Sequence, residues 1–156
     1  MGKVKTGAKA GGISGIIYGA ITAFLVYLTY TLSKEEVLSE ILMYLETLSD
    51  SQITVEEYYN GLLIIGPISS FILGILIGLI FGIIFAFFYD RIPGKNYWSK
   101  AIFYGIILWL ILFVFGLYIP LWLPFEYNLA ISLILSWVLC LLIGFIYNRL
   151  GIISSE

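Results

Sequence analysis

Four segments of the chain are long, apolar and free of charged residues. They cover residues 11–32, 67–89, 101–119 and 128–147. A membrane-crossing helix needs about 20 apolar residues, because the hydrocarbon core is about 30 Å thick. A helix buried in a soluble protein is rarely so uniformly apolar on every side. The sequence therefore predicts an all-α polytopic membrane protein, a single domain over residues 1–156 built as a four-helix transmembrane bundle.

The amino-acid composition argues against several kinds of functional site. The chain has no histidine and a single cysteine, Cys140, so neither a disulfide nor a Cys/His metal site is expected. Its net charge of −2 does not suit binding to nucleic acid. The predicted spans contain hydroxyls and one amide but no ionisable acid or base at catalytic spacing. We expect no catalytic, cofactor or metal site, and no enzyme activity.

Lysine and arginine predict the orientation in the membrane. Seven of the eight fall on one side of a four-span arrangement: Lys3, Lys5, Lys9, Arg91, Lys95, Lys100 and Arg149. The other side carries Lys34 and most of the acidic residues. Basic residues are enriched in cytoplasmic loops. The sequence therefore predicts a multi-pass protein of the cell membrane with both termini in the cytoplasm.

The predicted external loop, residues 33–66, contains an amphipathic helix over 34–50. Ser33 and Thr54 each begin a capping box, which marks a helix start. The second box predicts a short helix that Gly61 and the Gly66–Pro67 pair interrupt before the next span. An acidic helix is a poor ligand for anionic lipid. It is expected either to cover the outer end of the bundle or to dock against a partner.

Small residues recur at every fourth position in the first two spans. The first ladder is Gly7, Gly11, Gly15 and Gly19, and the second is Gly66, Ser70, Gly74, Gly78, Gly82 and Ala86. Lipid provides no hydrophobic drive for helix association, so close backbone approach at small residues must supply the contact. The pattern is that of a glycine zipper and predicts that the two spans pack together. Contact with another protomer or partner, and a glycine-lined pore, are the alternatives.

Trp109 and Trp137 differ from most other large aromatics because they fall near the middle of a predicted span. Aromatic rings with a polar edge usually lie at the membrane interface. Each indole is expected to pack against a neighbouring helix, where its N–H finds an acceptor. The alternative is a pocket for a lipid or another ligand between the third and fourth spans.

These features favour a non-enzymatic accessory, scaffold or assembly subunit. Its partners would be the lipid bilayer and either further copies of the chain or another membrane protein. An oligomeric passive channel, or a carrier for a small solute or lipid, is the alternative. An enzyme ranks third, since no nucleophile, base or metal set is assembled at recognisable spacing.

The layout resembles small, uncharacterised four-span, glycine-rich integral membrane proteins of bacteria and archaea. The resemblance rests on the glycine-rich first span, on the second span ending in Tyr89-Asp90-Arg91, and on the stretch IPGKNYWSKAIFYG at residues 92–105. It covers most of the chain. It implies the four-span fold and supplies no activity to carry over.

Overall fold

The computed structural model describes residues 2–47, 53–114 and 125–153, and the regular structure of these residues is entirely α-helical. The helices are α1 (Gly2–Leu32), α2 (Lys34–Thr47), α3 (Val55–Phe88), α4 (Tyr97–Val114) and α5 (Phe125–Ile153). The predicted all-α class is confirmed.

Three of these helices are long and apolar enough to cross a membrane. They are α1 with 31 residues, α3 with 34, and the segment Tyr127–Leu150 of α5 with 24. At about 1.5 Å per residue, even the shortest reaches across a hydrocarbon core of about 30 Å. They indicate that the chain is a membrane protein. The apolar segment of α4, Tyr97–Leu112, is shorter. The predicted third span continues to residue 119, which lies outside the described residues, so the fourth crossing stays a prediction.

α1 lies at the centre of the packing. It runs antiparallel to α3, because Gly7 faces Gly82 near one end and Val26 faces Gly66 near the other. α1 also packs against α5, and α4 packs against α5. In the described residues α3 and α4 have almost no close backbone approach, although they follow each other in the chain. These two helices contact each other through side chains, among them Phe81, Phe85 and Tyr104.

Aromatic rings form the densest part of the main core. The ring of Phe85 is fully buried and packs against three tyrosines. Its centroid lies 5.5 Å from that of Tyr89, 5.2 Å from that of Tyr104 and 5.8 Å from that of Tyr147. These distances are typical of favourable edge-to-face and tilted ring pairs. The cluster joins α3, α4 and α5 near the end at which α3 finishes and α4 begins.

α2 packs against the first turns of α3 and not along the rest of that helix. Val37 and Ile41 of α2 are buried with Tyr59 of α3, and together they form a second, smaller core. The predicted amphipathic helix is therefore present over Lys34–Thr47, with its apolar side against α3. Residues 48–50 of the predicted range lie outside the described residues.

The start of α3 is well defined. Thr54 forms the predicted capping box, in which its side chain accepts a hydrogen bond from the Glu57 amide and the Glu57 carboxylate accepts one from the Thr54 amide. At the end of α2 nearest α1, backbone hydrogen bonds run through Ser33: its N–H donates to Thr29 O at 2.9 Å and its carbonyl accepts from Val37 N at 3.0 Å. α1 and α2 are thus joined almost without a break.

The predicted interruption at Gly61 and Gly66–Pro67 is wrong. α3 continues unbroken from Val55 to Phe88 with Pro67 inside it. Proline removes one backbone donor, but neighbouring helices can hold a membrane helix in shape at such a position. Here the ring of Tyr30 lies against Gly66. That contact with α1 supports the helix next to the proline.

The turn between α3 and α4 depends on one glycine. Gly94 has a φ of +139°, which side-chain-bearing residues rarely adopt. Two residues later Asn96 caps α4, since its Oδ1 accepts a hydrogen bond from the Ser99 amide at 2.9 Å. The pair reverses the chain and starts α4 at a defined point.

Candidate functional site

The backbones of α1 and α3 touch through their glycines. A methyl group built on Gly11 would overlap the carbonyl oxygen of Gly78. One built on Gly15 would lie 2.9 Å from the carbonyl oxygen of Gly74. Both distances are shorter than normal carbon–oxygen contacts, so neither position has room for a side chain. The structure therefore brings these four predicted packing residues together.

The contact extends in both directions along α1. A methyl group on Gly7 would lie 2.6 Å from the carbonyl oxygen of Gly82, and one on Gly19 would lie 2.6 Å from that of Phe71. All four glycines of the first ladder thus face the backbone of α3. The interface covers about three turns of each helix, from one end toward the middle of the pair.

Two members of the second ladder behave differently. Gly66 faces the side chain of Tyr30, which lies 2.8 Å from the position of an added methyl group, and not a backbone. Ser70 is only half-buried. Among the glycines of α3, Gly74, Gly78 and Gly82 therefore contact the backbone of α1, and the regular four-residue spacing continues past them to Gly66.

Buried hydroxyl groups between the helices mostly bond to their own helix. Thr22 Oγ1 donates to Gly19 O at 3.1 Å, Thr29 Oγ1 to Val26 O at 3.0 Å, and Ser136 Oγ to the Ser132 carbonyl at 2.8 Å. Such bonds satisfy a polar side chain without any partner from another helix. Ser14 is the exception in the described part of the chain, because its fully buried Oγ has no hydrogen-bond partner.

No charged side chain of the described residues is buried. The same residues contain no group of three or more His, Cys, Asp or Glu side chains that could hold a metal ion. Cys140 is buried in the main core with Tyr18 and Tyr104. A buried cysteine commonly packs as a small apolar side chain.

The two mid-span tryptophans join α4 to α5. Trp109 Nε1 donates to Ser132 Oγ at 3.1 Å, and the indole of Trp137 lies against Gly105, 2.6 Å from the position of an added methyl group. These are the helix contacts that the sequence favours. Two apolar pockets among the described residues are lined by other side chains. A ligand pocket at Trp109 and Trp137 stays a prediction.

Charged groups at the end of the bundle near the α3–α4 turn are paired. Lys3 Nζ donates to Asp90 Oδ2 at 2.6 Å, which connects the start of α1 to the end of α3. This hydrogen bond, and then the positive charge of Lys3, hold the pKa of the Asp90 carboxyl below its usual value of 3.8. Lys100 Nζ donates to Tyr89 O at 2.6 Å and lies 4.1 Å from the centroid of the Tyr89 ring.

Tyr59 anchors the opposite end of the α1–α3 pair. Its hydroxyl donates to Tyr30 O at 3.1 Å, and the ammonium of Lys34 lies 5.4 Å from the centre of its ring. The small core beneath α2 is therefore tied to α1 as well as to α3.

Sequence reasoning missed an apolar groove between α3 and α4. Its volume is about 350 Å³. The lining includes Phe81, Phe88, Arg91, Phe103, Tyr104 and Ile107. The one signal in the sequence is Arg91, two residues after the end of an apolar span, and such arginines are common at membrane surfaces. A second, more open pocket of about 410 Å³ lies beside Trp98 and Phe145 on α4 and α5.

Comparisons of the chain with protein-family models, with curated proteins and with solved structures found no match. The resemblance to small four-span proteins of bacteria and archaea stays a prediction, and function is inferred from the residues of this chain alone.

Proposed function

We propose that the protein is a non-enzymatic integral membrane subunit that acts as an accessory, scaffold or assembly factor. The observation that carries this proposal is the glycine contact between α1 and α3, where Gly11 and Gly15 meet Gly78 and Gly74 without room for a methyl group. Close backbone packing in lipid holds helices through many short van der Waals contacts. This interface is a glycine zipper that makes a firm helix pair, as a scaffold requires.

The chemistry of the interior supports the same proposal. Proton- or ion-coupled transporters carry ionisable groups inside the membrane, and enzymes assemble a nucleophile, base or metal. Apart from Ser14, the serine and threonine hydroxyls buried in the described interior donate to their own helices, and the interior also contains a thiol and tyrosines. The charged side chains of the described residues are not buried. This distribution supports packing as the role of the helices.

The proposed topology has four crossings, formed by α1, α3, α4 and α5 as a four-helix bundle. Both termini and the α3–α4 turn lie in the cytoplasm, and α2 lies outside. The distribution of lysine and arginine supports this orientation. The length of α3 supports it as well, because a 34-residue helix exceeds the membrane thickness and leaves its first turns available to carry α2.

The exposed side of α2 is the proposed surface for a protein partner. Glu36, Glu40 and Glu46 are exposed there, with Met43 between them at 67% exposure. A flexible apolar side chain within a charged rim is a common arrangement at protein–protein contacts. The opposite side of the helix is already buried against α3.

Two measurements on the purified chain test the proposal. Native mass spectrometry of protein isolated from its own membranes in mild detergent should show a stoichiometric membrane-protein partner or a defined homo-oligomer. Glu40→Lys should weaken the binding of a partner at α2, whereas Gly12→Ala, at an open position on α1, should not.

Proteoliposomes that contain the purified protein should show no more solute or lipid transfer than protein-free vesicles. Transfer above that background would favour the passive channel or carrier instead.

A further inference from the structure

The groove between α3 and α4 opens to the outside of the bundle and is preformed. Its two walls diverge because α3 and α4 pack against other helices and not against each other. Tyr104 forms its inner wall, where the hydroxyl donates to Phe81 O at 2.9 Å and the ring lies 5.2 Å from that of Phe85. A tyrosine fixed at both its ring and its hydroxyl keeps the helices apart at a set distance.

The lining of the groove is almost wholly apolar and extends over most of the depth of one leaflet. Phe88 and Pro93 line it near the α3–α4 turn, and Phe103 to Ile111 line it along α4. Eight helical residues rise about 12 Å. One leaflet of the hydrocarbon core is about 15 Å deep. An acyl chain that enters at the turn would therefore follow the groove over most of its leaflet.

A positive charge without a counter-ion stands at the mouth of the groove. Arg91 lines the groove and is exposed, and its guanidinium forms no ion pair with the described part of the chain. The acidic residue beside it, Asp90, is bound to Lys3. Lys100 is held by the carbonyl and ring of Tyr89. Arg91 is thus the cation lining this groove that remains available to an anion, whereas Lys95 of the same turn does not line it.

We propose that this groove binds one anionic phospholipid, with an acyl chain along Phe103 and Ile107 and the phosphate at Arg91. Guanidinium and phosphate form paired, charge-assisted hydrogen bonds. The groove volume of about 350 Å³ lies within the range of ordinary ligand pockets. Charge selects an anionic headgroup, and the apolar walls select a lipid over a free phosphate. The site does not depend on whether the protein is a scaffold.

The test is native mass spectrometry of the delipidated full chain, titrated in detergent with phosphatidylglycerol or phosphatidylcholine. Wild type should retain one phosphatidylglycerol per chain at concentrations that leave phosphatidylcholine unbound. Arg91→Gln should weaken phosphatidylglycerol about tenfold. Lys95→Gln removes an exposed, solvent-screened charge from the same turn outside the groove, and should change the affinity clearly less than Arg91→Gln does.

A second variant tests the groove itself. Ile107→Trp should fill it and prevent retention of the lipid with Arg91 intact, whereas Ile106→Trp, on an exposed position that does not line the groove, should retain it. Equal binding of the two lipids, or an Arg91→Gln variant with wild-type affinity, would overturn the proposal. Should Ile107→Trp fail to fold, judged by its thermal transition, the arginine variant alone decides.

Discussion

Gly78 shows how much a single position in this protein contributes to packing. A methyl group added there would lie 2.6 Å from the Gly11 carbonyl oxygen and would overlap the Gly15 Cα. Both neighbours are backbone, so no side-chain rotation can relieve the overlap. The helices must therefore move apart, and this weakens all the close contacts along the interface at once.

Gly78→Ala should therefore destabilise the protein by about 1–3 kcal/mol, the usual cost of overpacking. Gly12→Ala is the matched control, because nothing lies within 4 Å of an added methyl group there. The stability of both variants is measured by thermal unfolding in detergent, with the height of the monodisperse size-exclusion peak as the readout. Equal transition temperatures for the two variants would show that the glycine contact does not hold the helices.

Tyr104 allows a test of the hydrogen bond that joins α4 to α3. Tyr104→Phe keeps the ring in its cluster and removes only the donor to Phe81 O. We expect a loss of about 0.5–1 kcal/mol in the free energy of unfolding. Tyr27→Phe, whose ring is 49% exposed, should change it little. A stabilised Tyr104→Phe would show that the bond is not formed in the membrane.

The Lys3–Asp90 pair predicts a pH effect of defined sign. Because the pKa of Asp90 is lower in the folded protein, its contribution to stability is complete above the usual value of 3.8. That contribution is lost as the pH falls from there through the lowered pKa. Between about pH 6 and about pH 3, wild type should lose more thermal stability than Asp90→Asn. A larger loss in the variant would contradict the pairing.

Residue spacing predicted the glycine contact only in part. A period of four marks one side of a helix, and this is why Gly11 and Gly78 could be singled out. The same period includes Gly66, which faces the side chain of Tyr30, and Ser70, which is only half-buried. Where two helices diverge depends on the whole packing arrangement, and spacing within one helix does not record it.

At the level of helices, α2 and the first turns of α3 pack around a small core of their own, which Tyr59 ties to Tyr30 of α1. This small core, Val37, Ile41 and Tyr59, is separate from the main core between the long helices. Local signals predicted its parts, because a capping box and an amphipathic pattern act within a few residues. They did not predict that α3 runs on through Pro67, where the ring of Tyr30 in another helix lies against the neighbouring Gly66.

Truncation of Ile41 should open this small core and leave the long helices intact. Ile41 is 4% exposed, so Ile41→Ala should cost about 2–5 kcal/mol locally. Met43→Ala, two residues away and 67% exposed, is the control. Hydrogen exchange should rise in α2 and in residues 55–63 only for the first variant. Unchanged protection there, or equal loss across α1, would contradict a separate small core.

On the scale of the whole molecule, the order of packing is not the order of the chain. α1 touches α3 and α5, α4 touches α5, and a groove separates the consecutive helices α3 and α4. The apolar segments of the sequence predicted the long helices, and the distribution of lysine and arginine predicted their orientation in the membrane. Neither could predict the groove, because a helix that is apolar on every side does not indicate which side meets protein and which meets lipid.

The proposed topology is the basis for every role considered for this protein, and labelling of single cysteines tests it most directly. In a Cys140→Ser background, Lys5→Cys, Ser39→Cys, Ser99→Cys and Ser155→Cys are treated in intact cells with a membrane-impermeant maleimide. Four crossings predict that only Ser39→Cys reacts, and that the other three react after permeabilisation. Reaction of Ser155→Cys from outside, with Ser99→Cys still protected, would mean that only one of α4 and α5 crosses and would contradict the four-span arrangement.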